Sequence, residues 1–432
     1  MITILVDEIT PRIKYTAEFV FKERGIRYRL ETDTNHFDEK EDLKINYSST
    51  IISIPTIPFS SLMKLKYIDS FRITKNRFHN IECLSFDDVS DPIASIFYVL
   101  TRMEEYNNPN KDHLERFPGK KSISYKFGWH EHVICDRWAE SIISFIEKEY
   151  KIKLERSSIH SNAIPSFDID NTYAYKNKGL LRTSMSYLKD IFLGRKNRII
   201  ERQKVTSGKI RDPYDTFDKI FSLHELGLQT RIFWLLGDFS KYDKNLHFKN
   251  SKQSRLIKKM SEKCQIGIHP SVKSTEYEYY LHNEIERLSE ILGDQKITKA
   301  RQHFLKIKIP ETYKTFIQQE IEEDFTMGYA DIVGFRCGTA RPHYWYDLKE
   351  NAVSRLKIFP FAFMDGTLLE YLKLSPKEAI EKIDHLSKEI INYGGEFSFI
   401  WHNETIGDYG IWKGWSKVFK FSIEKCIEIN EK

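Results

Sequence analysis

Along the chain, short apolar runs alternate with stretches whose apolar positions recur every three or four residues, which predicts strands interleaved with amphipathic helices. Residues 2–6 are a short β-rich run. Residues 11–25 carry Ile13, Ala17, Val20 and Phe21 at helical spacing, and 26–30 is strand-like again. Asp91 followed by Pro92 reads as an N-cap with proline in the first turn, opening a helix with Ile93, Phe97, Leu100 and Met103 on one stripe. The polar stretch 107–128 reads as a long loop, and a helix over 138–150 follows. A boundary is expected near Ser157 and Ser158, where a charged segment gives way to Ser, Asn and Pro.

Beyond it, candidate strands at 163–168, 231–236, 265–269, 300–305, 358–363 and 397–402 alternate with helical patterns. Helices are expected at 213–226, 276–292 and 376–393, stopped by Gly227, Gly293 and Gly394. Strands separated by helices of this length imply a parallel sheet, open or closed into a barrel. The expectation is an α/β protein of two domains, 1–157 and 158–432.

In such sheets chemistry gathers at the carboxyl ends of strands. Four runs there end in polar groups: Asp168 and Asp170, His269, Arg301 with His303, and His402. Each has a plain structural role open to it. Asp170 fits an Asx cap, His269 before Pro270 a turn, His402 a satisfied buried imidazole and Arg301 a surface charge. Their joint placement singles them out, because two carboxylates two residues apart share one face and repel unless a cation or a proton relieves them.

Composition narrows the class. With 41% hydrophobic residues in 432, the chain is no disordered or disulfide-stapled polypeptide. Five cysteines without a CxxC pair read as reduced thiols. The start of the chain lacks a signal-peptide pattern and no apolar run is long enough to span a bilayer, so a cytoplasmic location is expected. Sixty-seven basic against 62 acidic residues gives +5, too little to indicate nucleic-acid binding.

Taken in order, Phe167-Asp168-Ile169-Asp170, the run from Leu226-Gly227 to Leu236-Gly237, Ile266-Gly267-Ile268-His269, Arg301 and Ile400-Trp401-His402 resemble polysaccharide deacetylases of the NodB homology type. The resemblance covers roughly residues 160–430 and looks like a bacterial subgroup with an extra N-terminal α/β domain. It implies a distorted (β/α) barrel, preceded by that smaller α/β domain. The implied enzyme is a hydrolase of non-peptide carbon–nitrogen bonds that removes acetyl groups from a glycan or glycan precursor, with a divalent metal, usually zinc. By position it makes Asp168 the general base, Asp170 and His269 metal ligands, Arg301 the partner of the base, and His402 the general acid.

The match departs at one ligand: the second metal histidine is expected four residues after His269, where Lys273 stands. His303, two beyond Arg301 and on the same face of an extended strand, is the candidate replacement. An aspartate that tunes the acid histidine is expected at Asp331, with Asp324 and Asp365 as rivals. Trp401 and Trp415 are candidate walls of a sugar groove, with core packing as the alternative.

Two other functions fit parts of the pattern. Loss of a metal histidine permits a glycan-binding protein without catalysis. Asp168-Ile169-Asp170-Asn171-Thr172 resembles haloacid dehalogenase-type phosphatases, with Asp238 and Asp243 for magnesium. That reading leaves His269, Arg301 and His402 without work. Finally, residues 176–211 hold 11 Lys and Arg against two acidic residues, which reads as a helical insertion that is either a solvated face or a surface for an anionic membrane or an acidic glycan carrier.

Overall fold

In the computed structural model, which describes every residue but Lys40 and Asn107, the first apolar run forms β1 (Ile2–Leu5). It pairs in parallel with β2 (Tyr28–Glu31) and β3 (Leu43–Asn46). The intervening helix Pro11–Val20 starts where the Thr10 side chain accepts from the Ile13 amide, and it buries Ile13, Ala17 and Val20. A second small sheet is antiparallel, β4 (Ile73–Phe78), β5 (Ile81–Phe86) and β6 (Val89–Ser90). The sequence pattern gave no sign of it. The helix Pro92–Leu100 is capped by Asp91 as expected but is buried on every side, not on one stripe. In the loop expected over 107–128, Asn107 lies outside the described residues, and the remainder contains a turn at Gly119–Lys121 and a short helix Ile123–Lys126. The next helix begins earlier than expected, spanning Ile134–Tyr150.

The remaining strands form one eight-stranded sheet: β7 (Ser161–Ile169), β8 (Arg231–Trp234), β9 (Gln265–Ile268), β10 (Lys299–Ala300), β11 (Glu323–Asp324), β12 (His343–Asp347), β13 (Ala352–Ile358) and β14 (Gly395–His402). Their order is β12-β13-β11-β10-β9-β8-β7-β14, and only the β12–β13 pair is antiparallel. After β13 the chain crosses to the far edge, where Ala362 N donates to Ser398 O at 2.8 Å and Ile400 N to Phe363 O at 3.0 Å. The sheet therefore curls until the segment after β13, which also bonds to Asp324 and Met327, reaches β14.

Two expected strands are corrected. Over 300–305 the strand stops at Ala300 and becomes a helical turn, His303–Leu305, with Phe304 and Leu305 at φ +56° and +57°. Bulky residues adopt this left-handed backbone only under constraint. Over 358–363 the ladder belongs to the preceding residues, Ala352–Ile358, and 359–363 is the crossing segment.

Buried side chains form two main clusters. One fills the curled sheet and its helices, with Phe167, Ile232, Trp234, Leu288, Ile383 and Phe399. The other gathers Ile4, Val20, Phe97, Trp138 and Ile142 from the first 150 residues, but also takes in Tyr346 and Leu348 at the β12 edge. Each such side chain contributes about 1.5–3 kcal/mol relative to exposure. A buried ion network joins the same regions: Glu105 accepts from Arg102 Nε at 2.7 Å and from Arg336 Nε at 2.9 Å. The two guanidinium charges hold Glu105 at a pKa of about 2 against the upward push of burial.

Candidate active site with a three-ligand cation cradle

The residues ending β7, β9, β10 and β14 meet at one rim. In the β7–β14 register, Asp168 lies opposite His402. Asp168 is buried and accepts from Arg301 Nη1 at 2.8 Å. Arg301, fully buried, also donates to Ser166 Oγ at 2.7 Å and to the Phe325 carbonyl at 3.0 Å, so its fork is fixed on three sides. Its guanidinium carbon stands 4.3 Å from the Phe233 ring centre. Gly267 makes room for that ring, since a Cβ there would lie 2.7 Å from it.

Asp170 is the hub. Its Oδ1 is 3.3 Å from His269 Nε2, its Oδ2 is 3.2 Å from His303 Nε2, and His402 Nε2 is 3.9 Å from the same Oδ2. The outer nitrogens fix the rings. His269 Nδ1 meets the carbonyl of Arg301, which only accepts, so Nδ1 carries the hydrogen and Nε2 turns inward. His303 Nδ1 meets Asp243 Oδ1 at 2.9 Å, and His402 Nδ1 meets Asp365 Oδ1 at 2.8 Å. Asp365 is itself held by the His402 amide at 2.8 Å and the Thr405 hydroxyl at 2.6 Å.

Electrostatics follow from this packing. Burial pushes the Asp170 carboxyl up, but the His303 charge and hydrogen bond, with the adjacent His269 and His402 imidazoles, hold it well below the usual range. Burial would lower His303, yet Asp170 and Asp243 raise it to about 9. His402 is likewise opposed by burial and raised well above an ordinary imidazole, chiefly by Asp365 and then by Asp170 and Asp168. Glu404 is pushed up to about 7 by burial and the nearby Asp170 charge.

The donor set suits a divalent cation. Asp170, His269 and His303 each offer a ligand atom within 4.8 Å of the others, and Asp170 Oδ1 is buried without a hydrogen-bond partner. One carboxylate and two inward imidazole nitrogens are a three-ligand set compatible with zinc, and Asp243 supplies the outer carboxylate that such histidines usually have. A second trio, His132, His385 and Glu389, also clusters, but Arg137 Nε already donates to Glu389 at 3.0 Å.

His303 reaches the cradle from the helical turn, not from the strand face that the sequence suggested. Arg116 braces that turn by donating to the Phe304 carbonyl at 2.9 Å. Lys273 stays outside: it is exposed, with its ammonium 5.4 Å from the Tyr280 ring centre. Asp331, expected beside the acid histidine, instead accepts from the Gly119 amide at 2.8 Å; Asp365 takes that place. Trp401 and Trp415 are buried in the core, against Phe419 and Trp412 respectively, so neither forms an open groove wall. Asp238 of the phosphatase reading pairs with Arg287 at 3.0 Å, and the Thr172 hydroxyl donates to Gln253. Asp243 and Glu404 were not singled out for this site in the sequence. Only the proximity of Asp243 to Asp238, and of Glu404 to His402, hinted at either.

Residues 2–151 match a family model described as "Family of unknown function (DUF7033)". No curated protein matches the chain. Among solved structures, a putative polysaccharide deacetylase from Mycobacterium smegmatis is similar at 13% identity and TM-score 0.39, over 62% of this chain and 85% of its own. A family 4 carbohydrate esterase from Streptomyces lividans, solved with acetate, gives 8% and 0.28, over 63% and 88%. A putative glycoside hydrolase/deacetylase from Parabacteroides distasonis gives 9% and 0.34, over 63% and 67%.

Proposed function

We propose that the protein is a metal-dependent hydrolase that removes acetyl groups from a carbohydrate, in a catalytic domain over 158–432 preceded by a domain over 1–157. The observation that carries this reading is the placement of Asp168 and His402 in register across neighbouring strands, beside the grouped Asp170, His269 and His303, with His269 3.8 Å from Asp168 and His402 3.9 Å from Asp170. A divalent cation held by those three residues would polarise an acetyl carbonyl and acidify water. Asp168, held in place by Arg301, accepts a proton from the attacking water. His402, whose Nδ1 is paired with Asp365, donates a proton to the departing nitrogen or oxygen of the sugar. Water and the acetylated sugar thus become acetate and the free amine or hydroxyl.

The reading without catalysis rested on Lys273 occupying a ligand position. Lys273 is exposed, and His303 beside Asp170 and His269 supports a complete ligand set, which favours the catalytic reading. The test is acetate release from acetylated chitooligosaccharides by protein loaded with zinc. Asp168→Asn and His402→Ala are each expected to lower kcat by about 10²–10⁴-fold with folding intact. No acetate release by the loaded protein across N- and O-acetylated glycans, or variants as active as the parent, would overturn the assignment.

A further inference from the structure

The helices Leu180–Phe192 and Lys196–Thr206 form a hairpin between β7 and β8, and the amphipathic sense of the first helix is reversed. In the first helix Leu180, Leu181, Met185, Leu188, Ile191 and Phe192 fall on one stripe and all are exposed, Leu180 and Phe192 at 90%. The polar face packs inward instead. Asp190 is buried and accepts from Arg202 Nη2 at 2.5 Å, and the Arg202 guanidinium stands 5.1 Å from the ring centres of Tyr175 and Tyr187. A helix on a body surrounded by water buries its apolar stripe. Here the stripe is presented outward, and a contiguous exposed apolar patch marks a contact surface.

Charge indicates what the contact is. Residues 176–211 carry 11 basic and two acidic side chains. Both acids are spent internally, Asp190 on Arg202 and Glu201 on the hydroxyls of Tyr175 and Tyr409. The turn over 191–198 is exposed throughout and reads Ile-Phe-Leu-Gly-Arg-Lys-Asn-Arg, an apolar tip followed at once by cations. Lys189 flanks the stripe and is exposed. Hydrocarbon receives such a stripe while headgroup phosphates receive the flanking lysines and arginines.

We propose that this hairpin docks the protein on the surface of an anionic membrane, with the helix Leu180–Phe192 lying in the headgroup plane. A groove of about 1570 Å³ is lined both by Asn171, next in the chain to Asp170, and by Leu181 and Met185 of the stripe. A docked hairpin therefore opens the groove towards the membrane. Docking needs no catalytic residue, so it stands or falls apart from the hydrolase reading.

The test is flotation of the full chain with vesicles of phosphatidylglycerol and phosphatidylcholine, and with phosphatidylcholine alone. Binding is expected to the anionic vesicles, weakening as salt rises. It should fall about tenfold or more in Leu188→Glu/Phe192→Glu, and also in Lys189→Glu/Arg195→Glu, with circular dichroism unchanged. Wild-type protein that does not float with anionic vesicles overturns the proposal, as does unchanged flotation of both double variants. A self-associating wild type that does not float, and that Leu188→Glu/Phe192→Glu renders monomeric, assigns the stripe to a second copy and also overturns it.

Discussion

The rim at the strand ends and the helical hairpin beside it solve opposite problems. At the rim, charges are buried and nearly every one has a partner: Asp168 has Arg301, His303 has Asp243 and His402 has Asp365. On the hairpin, apolar side chains are exposed and the charged pair Asp190–Arg202 is buried. Burying charge costs several kcal/mol per ion unless geometry restores it, whereas exposing leucine costs only the burial it forgoes. Both regions depart from the minimum that folding alone would select, and such departures concentrate at functional sites.

The largest expected effect breaks the rim. Arg301→Met leaves Asp168 buried without its cation and should destabilise the protein by about 3–5 kcal/mol, read as a fall in the urea midpoint. Retained stability would mean that the rim tolerates an unpaired carboxylate and that the contrast with the hairpin is overstated. A smaller effect is expected at Asp243→Asn, which keeps the shape but weakens the outer hold on His303. Zinc affinity should drop about 10–100-fold, measured by competition with a chromophoric chelator. Arg116→Ala should be milder still. It frees the strained turn at Phe304 and should lower zinc affinity by a few-fold, about 1 kcal/mol, leaving the helix content unchanged. The smallest effect is on the hairpin: Phe192→Glu in the absence of membranes should change stability by less than about 0.5 kcal/mol. A large loss there would show that the stripe is packed in solution and would erase the comparison.

Much of the large sheet was legible because its strands are short apolar runs that end in polar residues. The ends of β7, β9 and β14 were placed within a residue or two, and with them Asp168, Asp170, His269 and His402. What escaped was set by tertiary contacts. The strand at Lys299–Ala300 is too short for periodicity to delimit, and the turn that follows persists through Arg116, nearly two hundred residues upstream. The partner of His402 was misassigned because Asp365 arrives on the crossing segment beside β14, which carries no ladder pattern of its own. Trp401 and Trp415 carry no sequence mark that separates a stacking platform from core. Burial against Phe419 and Trp412 decides it. The basic character of 176–211 was visible in composition, but which face of its first helix turns outward was not.

The central claim is that Asp170, His269 and His303 together hold a divalent cation while Lys273 stays apart. Elemental analysis and zinc titration of purified wild type, His303→Ala and Lys273→Ala test it most directly. One tightly held equivalent is expected in wild type and in Lys273→Ala, and affinity weaker by about tenfold or more in His303→Ala. A wild type that takes up no stoichiometric transition metal, or a His303→Ala variant that binds as tightly as its parent, would contradict it.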